Sequence, residues 1–112
     1  MTRRIERVEK NVQRILGEII QEELRPPGMV SVMDVTCDTR LTTARVAVSV
    51  YASDSEPRAT IEYLERRIAF IRRELSARAQ MRRTPKIEFV LDTSLQDGQS
   101  MIDLISDVSS SR

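Results

Sequence analysis

The sequence predicts a single α+β domain in which a three-stranded sheet carries helices on one face. Its 112 residues, 40% of them apolar, suffice for one hydrophobic core. In two long stretches the apolar residues recur every three or four positions, as on one face of a helix. In two short runs β-branched residues predominate, as in strands, and Lys86–Leu91 is predicted as a third, short strand. The predicted order is therefore helix, strand, strand, helix, helix, strand.

The first predicted helix spans about Thr2–Leu24. Its apolar face is formed by Ile5, Val8, Val12, Ile15, Leu16, Ile19, Ile20 and Leu24. The helix is expected to end before Pro26–Gly28, because neither proline can continue the backbone hydrogen bonds.

Two strands follow, predicted at Val30–Cys37 and Thr43–Tyr51. The polar residues Asp38–Leu41 between them favour a tight turn, which predicts an antiparallel hairpin. After the second strand, Asp54 or Ser55 is the expected N-cap of the next helix, with Pro57 at an early helical position.

The second helical stretch, Arg58–Arg83, is out of phase with itself. Phe70 points almost opposite to the apolar face formed by Ile61, Leu64, Ile68, Ile71 and Leu75. Either Phe70 is exposed, or the helix bends near Arg67–Phe70 and returns Phe70 to the core; the phase favours a bend.

The last predicted strand is Lys86–Leu91. From Asp92 onward we expect a weak helix or a loop that carries Met101, Ile102, Leu104 and Ile105. Residues 109–112 are expected to form a flexible tail. The predicted domain is therefore residues 1–108.

Composition excludes most enzyme classes. There is no histidine and only one cysteine, so Ser–His and Cys–His pairs and the usual zinc sites cannot form. No motif supports carboxylate or lysine chemistry, and we expect a non-catalytic protein without a cofactor or metal. No stretch longer than eight residues is free of charge, which argues against a membrane span. The lone cysteine and a charged start without an apolar signal core favour a cytoplasmic protein.

Charge is balanced overall but segregated along the chain. Residues 58–86 carry nine bases and three acids, whereas residues 87–112 carry one base and five acids. Sixteen of the eighteen bases are arginine, whose planar fork of donors suits phosphate oxygens. A coding bias toward arginine could explain that ratio but not the clustering. So dense a basic segment predicts an anionic partner.

The predicted order of elements is that of a type II KH domain. RNA-binding KH domains clamp phosphates with a Gly-x-x-Gly loop. The only glycines here are Gly17, Gly28 and Gly98, so that loop is absent.

Five segments of the chain occur in a characteristic order and spacing: Arg7–Val8 with Ile15–Ile20, Val30–Val35 with Ala44–Val50, Phe70–Leu75, Met81–Phe89 and Asp92–Gly98. Together they resemble the ribosome-binding factor A family. Its members have an Ala-x-Gly kink in place of the Gly-x-x-Gly loop, and the matching residues here are Arg67, Ile68 and Ala69. Alanine in place of glycine favours a straighter bend.

The resemblance implies a non-catalytic factor that binds the small (30S) ribosomal subunit and contacts 16S ribosomal RNA. It implies a part in late 30S maturation, including processing of the 16S 5′ end and adaptation to cold. Off the ribosome we expect the protein to be a monomer. With few aromatic residues for base stacking, recognition should rest on RNA shape and backbone. The predicted RNA-binding residues are Arg66, Arg67, Arg72, Arg73, Arg78, Arg82, Arg83 and Lys86, with Arg3, Arg4 and Arg7 as possible secondary contacts.

Some of these arginines are expected to be structural, for example in i,i+4 pairs of Arg78 with Glu74 or Arg66 with Glu62. The sequence also leaves open a protein-interaction module, in which the basic segment binds the acidic residues 87–112 of another chain. Binding to 30S particles at low salt distinguishes the two.

Overall fold

A computed structural model describes residues 2–52 and 57–92 and gives side chains from Arg4 onward. The described elements are α1 (Thr2–Glu23), β1 (Met29–Cys37), β2 (Thr43–Tyr51), α2 (Pro57–Arg66), α3 (Ile68–Ala79) and β3 (Lys86–Leu91). They follow the predicted order, and the α+β class is confirmed. The expected N-cap at Asp54 or Ser55, the weak helix or loop after Asp92 and the tail at 109–112 lie outside the described residues.

The sheet has the strand order β1-β2-β3. β1 and β2 are antiparallel, which confirms the predicted hairpin. β3 pairs with β2 in parallel, because the α2–α3 connection returns the chain to the opposite end of the sheet. A bulge between Val32 and Asp34 places Met33 as an extra residue in β1. Because β2 lies in the middle of the strand order, β1 and β3 are the two edge strands.

The hairpin turn is organised by the Asp38 carboxylate. Its oxygens accept hydrogen bonds from the backbone N–H of Thr42 at 2.7 Å and of Thr43 at 3.0 Å, and from the Thr42 hydroxyl. The hydrogen bonds from the Thr42 side chain and the Thr43 backbone lower the pKa of Asp38 below its usual 3.8. Leu41 completes the turn with a φ of 58°.

The core lies between the helices and one face of the sheet. Alternate residues of β2 point into it, and Val46, Val48 and Val50 are fully buried. α1 contributes Leu16 and Ile19 from the face that its periodicity predicts. Each such side chain contributes about 1.5–3 kcal/mol when fully buried.

Two side chains of α1 cap the free edge of β1. The Gln13 amide donates to the backbone carbonyls of Val32 and Met33, both at 3.3 Å. The Glu9 carboxylate accepts from the Cys37 N–H at 2.8 Å. These bonds hold the N-terminal half of α1 against the C-terminal half of β1.

Cys37 should be a poorly reactive thiol. Burial, followed by the negative charges of Glu9 and Asp38, raises its pKa from 9.0 to about 11. Only the thiolate reacts, so at pH 8 we expect disulfide reagents to label native Cys37 about 100-fold more slowly than the unfolded chain. A Ser31→Cys variant carries an exposed thiol as the control. Equal rates for native and unfolded Cys37 would contradict the prediction.

The loop between α1 and β1 packs closely against α2 and the end of β2. The Arg25 N–H donates to the Tyr63 hydroxyl at 2.8 Å. A Cβ added at Gly28 would lie 2.9 Å from Val50 Cγ1 and 3.0 Å from both Thr60 Oγ1 and the Tyr51 carbonyl oxygen. Glycine is therefore required here for close approach of the backbone.

Candidate nucleic-acid interface

Helices α2 and α3 are separated by a break at Arg67. Arg67 has φ −108° and ψ 20°; its N–H donates to the Leu64 carbonyl at 3.0 Å, and its carbonyl accepts from the Ile71 N–H at 2.9 Å. The predicted bend is confirmed, and Phe70 is half-buried against the core. The break needs no positive φ, so alanine instead of glycine at position 69 does not remove it.

The Arg67 side chain folds back onto α2. Its guanidinium lies 3.7 Å from the centroid of the Tyr63 ring, and its Nη1 donates to the Tyr63 carbonyl at 3.4 Å. Such a cation–π contact contributes about 0.5–1 kcal/mol at partly exposed sites. Because the Tyr63 hydroxyl also accepts from Arg25, the same tyrosine joins the bend to the end of α1.

Arg72 ties α3 to the residues that precede β3. Its Nη2 donates to the Thr84 carbonyl at 2.7 Å and its Nε to the Pro85 carbonyl at 3.1 Å. Both acceptors are uncharged, so these bonds leave the positive charge of Arg72 uncompensated. Arg72 positions the loop that carries Arg82 and Arg83.

Arg78 is surrounded by carboxylates. It pairs with Glu74 at 3.3 Å, as predicted, and also with Glu22 at 3.1 Å and Glu23 at 3.2 Å at the end of α1. Desolvation alone would lower the pKa of Arg78, but the hydrogen bonds and charges of Glu22 and Glu74 outweigh it and raise the pKa. Arg78 therefore joins α3 to α1 and adds little net positive charge.

The other predicted residues around the bend and its exit are exposed and make no ion pair with any carboxylate in the described part of the chain. The alternative i,i+4 pair of Arg66 with Glu62 is not formed. Glu62 and Glu65 are also exposed on α2, and Glu88 on β3 pairs with Arg45 at 3.5 Å. We call the following five residues the free basic set: Arg66, Arg73, Arg82, Arg83 and Lys86.

The direction of the loop after α3 depends on Gln80. Gln80 is the C-cap residue of α3 and adopts the left-handed backbone conformation, with φ 55° and ψ 44°. Its N–H and that of Met81 both donate to the Ser76 carbonyl, the latter at 3.1 Å, which closes the helix end. The chain then turns back toward β3, exposing Arg82 and Arg83.

Replacing Gln80 with glycine should stabilise the protein. Glycine adopts positive φ without the steric cost that a side chain carries, so we expect unfolding free energy to rise by about 0.5–1 kcal/mol. Chemical denaturation measures the change. Gln21→Gly, in the regular helix α1, is the opposite control and should destabilise by a similar amount. A loss of stability in Gln80→Gly would contradict the role assigned to this conformation.

The proposed secondary residues lie on α1. Arg4 and Arg7 are exposed, and the Arg3 side chain is outside the described residues. The Glu9–Cys37 bond places this part of α1 at the C-terminal end of β1. By register, Lys86 lies at the same end of the sheet, opposite Thr43.

Two residues of this site, Tyr63 and Gln80, were not predicted from the sequence to be functional or structural determinants of it. The i,i+4 spacing of Tyr63 and Arg67 was an available signal for their stacking. No sequence signal marked Gln80, because glycine or asparagine is the usual residue in that conformation. Among residues 2–52 and 57–92, no three potential metal-ligating side chains come together, and no helix is long and apolar enough to cross a bilayer.

Comparisons with known proteins place the chain in a family. The sequence model of the ribosome-binding factor A family matches residues 4–105. The ribosome-binding factor A of Acetivibrio thermocellus is 38% identical over 109 residues, which cover 95% of this chain and 89% of the relative. That of Thermosynechococcus vestitus is 34% identical, over 95% and 87% of the two chains.

Solved structures agree. The crystal structure of ribosome-binding factor A from Thermus thermophilus superimposes with a TM-score of 0.70 at 25% identity, over 78% of this chain and 94% of the other. A homology model of the Thermus protein, as fitted into the cryo-EM map of a complex of that protein with the 30S subunit, superimposes with a TM-score of 0.67 at 26% identity, over 78% and 93%. The matches in sequence and in fold coincide, and the chain belongs to the ribosome-binding factor A family.

Proposed function

We propose that this protein is a non-catalytic assembly factor that binds the 30S ribosomal subunit through 16S ribosomal RNA. The observation that carries the proposal is the shared fold with the Thermus relative fitted into a map of its 30S complex. The free basic set supports an RNA partner, because its charges are exposed and not neutralised by neighbouring carboxylates.

The contacts expected at this surface are with phosphates. Each base that neutralises a phosphate releases a counterion, so binding should weaken steeply as salt rises. Arginine offers two parallel donors to phosphate oxygens, which fixes orientation as well as charge. Tyr63 is covered by Arg67, and Phe70 and Phe89 pack in or against the core. Recognition at the bend therefore rests on RNA shape and backbone more than on base stacking.

Within assembly, we assign the protein to late 30S maturation, including processing of the 16S 5′ end and adaptation to cold. These follow from the family resemblance. A protein that binds ribosomal particles acts in the cytoplasm, and we propose that it is a monomer away from them. Arg72 and Arg78 act here as positioning residues that hold α3 against the β3 loop and α1.

Co-sedimentation tests the proposal directly. The protein is incubated with 30S particles and, in parallel, with mature 70S ribosomes, at increasing salt. We expect binding to 30S particles at low salt, release as salt rises, and weaker binding to 70S ribosomes. Failure to bind 30S particles at low salt, accompanied by association between copies of the chain, would overturn the proposal in favour of a self-associating module.

A further inference from the structure

An open groove of about 720 Å³ lies between α1 and the free edge of β1. Ile20 and Leu24 on one side and Val30 and Val32 on the other give it an apolar lining. Gly17 widens it, since a Cβ built there would meet no heavy atom within 4 Å. The volume falls in the range of about 300–1,000 Å³ that is usual for binding clefts.

The strand that borders this groove is capped along only part of its length. Gln13 bonds to the Val32 carbonyl and Glu9 to the Cys37 N–H, so the backbones of these residues face the free edge. In an antiparallel ladder, residues two positions apart direct their N–H and C=O groups toward the same side of the strand. Val30 lies two positions before Val32, so its backbone groups also face the free edge. In the described part of the chain no side chain bonds to Val30. An uncapped strand edge favours occupation by another segment.

The chain itself supplies a segment within reach. The Asp92 N–H donates to the Val48 carbonyl at 2.7 Å, and Val48 is paired with Val32 at the groove. Crossing two strand spacings requires about 10 Å. Residues 93–100 can span up to about 26 Å when extended. The residues that follow can therefore arrive at the groove.

Exposed apolar side chains lie at the groove. Met29 and Tyr51 are cross-strand partners at this end of the sheet and are 74% and 69% exposed. Met29 also lines the groove, and Tyr51 lies beside it on the sheet face opposite the core. Exposed apolar residues grouped in one place indicate a surface that is covered in use.

The chemistry of the C-terminal residues matches the groove. Met101, Leu104, Ile105 and Val108 are spaced as one apolar helical face. Residues 93–112 carry three aspartates and one arginine. Arg25, on the groove rim, is exposed and has no ion pair within the described residues.

We propose that residues 101–108 of the same chain bind in the groove between α1 and β1, with their apolar side chains against Ile20, Leu24, Val30 and Val32. The inference is independent of ribosome binding, and its test uses the isolated full-length protein.

A paramagnetic label at position 109 tests it. The Ser109→Cys variant is labelled with a nitroxide near neutral pH, where buried Cys37 stays a thiol and reacts slowly. We expect broadening of the amide signals of Gly17, Gln21 and Ser31 in the nitrogen-15-labelled chain. Those of Thr42 and Glu88, toward the other end of the sheet, should be unaffected. Uniform broadening, or none near the groove, would overturn the proposal.

Two variants and a mixture sharpen the test. Ile105→Ser should abolish the broadening, whereas Leu95→Ser, an equal loss of apolar surface outside residues 101–108, should retain it. Gly17→Leu places a large side chain from helix α1 into the groove, and it should also abolish the broadening. Retention in either Ile105→Ser or Gly17→Leu would contradict the assignment. The mixture combines a nitroxide-labelled chain that contains no nitrogen-15 with a nitrogen-15-labelled chain that carries no nitroxide. If the groove signals of the second chain are broadened, the C-terminal segment of another copy occupies the groove and the intramolecular proposal is wrong.

Discussion

Replacing Arg66, Arg73, Arg82 and Arg83 with alanine is expected to weaken 30S binding by roughly 100-fold near physiological salt, while the fold survives. A surface that makes six to ten phosphate contacts loses about 10³–10⁵ in affinity between 50 and 200 mM salt, so removing four such charges should have a large effect. Because these side chains are exposed and unpaired among the described residues, their loss should barely change stability.

The measurement is 30S affinity across a salt series. The slope of log affinity against log salt should fall by up to about four, near one for each phosphate contact removed. The matched control is Lys10, Arg25, Arg40 and Arg58 to alanine, which removes the same charge from exposed side chains outside the free basic set that likewise make no ion pair among the described residues. Equal weakening by the two variants would show a non-specific charge effect, and parental binding by the first would refute the site. Arg72 is left intact, since its bonds to Thr84 and Pro85 would make its loss a structural change.

Replacing Gly28 with alanine is expected to destabilise the protein by about 1–3 kcal/mol. The added methyl would lie 3.0 Å or less from the Val50 side chain, the Thr60 hydroxyl and the Tyr51 carbonyl oxygen. The carbonyl belongs to the backbone of β2 and cannot turn away as a side chain could. Relief of the contact requires the loop to move, which would disturb the Arg25–Tyr63 hydrogen bond.

Gly17→Ala is the matched control, because the same methyl group meets no heavy atom within 4 Å. In the middle of α1 it should stabilise the protein by about 0.5–1 kcal/mol through helix propensity. Thermal unfolding separates the two, since 1 kcal/mol corresponds to roughly 4–8 °C in a domain of about this size. Changes of the same sign in both variants would contradict the packing described for Gly28.

Local patterns predicted the elements well. The proline pair located the end of α1, and the alternation of β-branched residues located both hairpin strands. The phase of Phe70 located the break between α2 and α3 within a few residues, although no glycine marked it. These features depend on neighbours in sequence, which periodicity and turn chemistry describe.

Contacts between distant residues were not predictable in the same way. The Arg78–Glu74 pair followed from i,i+4 spacing, but Glu22 and Glu23 lie more than fifty positions away along the chain. The partners of Arg72 are backbone carbonyls of a loop, which carry no residue-type signal. Parallel pairing of β3 with β2 likewise required the three-dimensional path. The sequence therefore predicted a basic cluster, and only the structure separates its free members from its structural ones.

The backbone at Arg67 has an evolutionary consequence. Its φ of −108° is accessible to every residue type except proline, so no particular side chain is needed to maintain the turn between the two helices. Mutational drift at this apex can change size, charge or stacking without altering the path of the chain. Related proteins can thus vary the chemistry presented there while inheriting the same geometry.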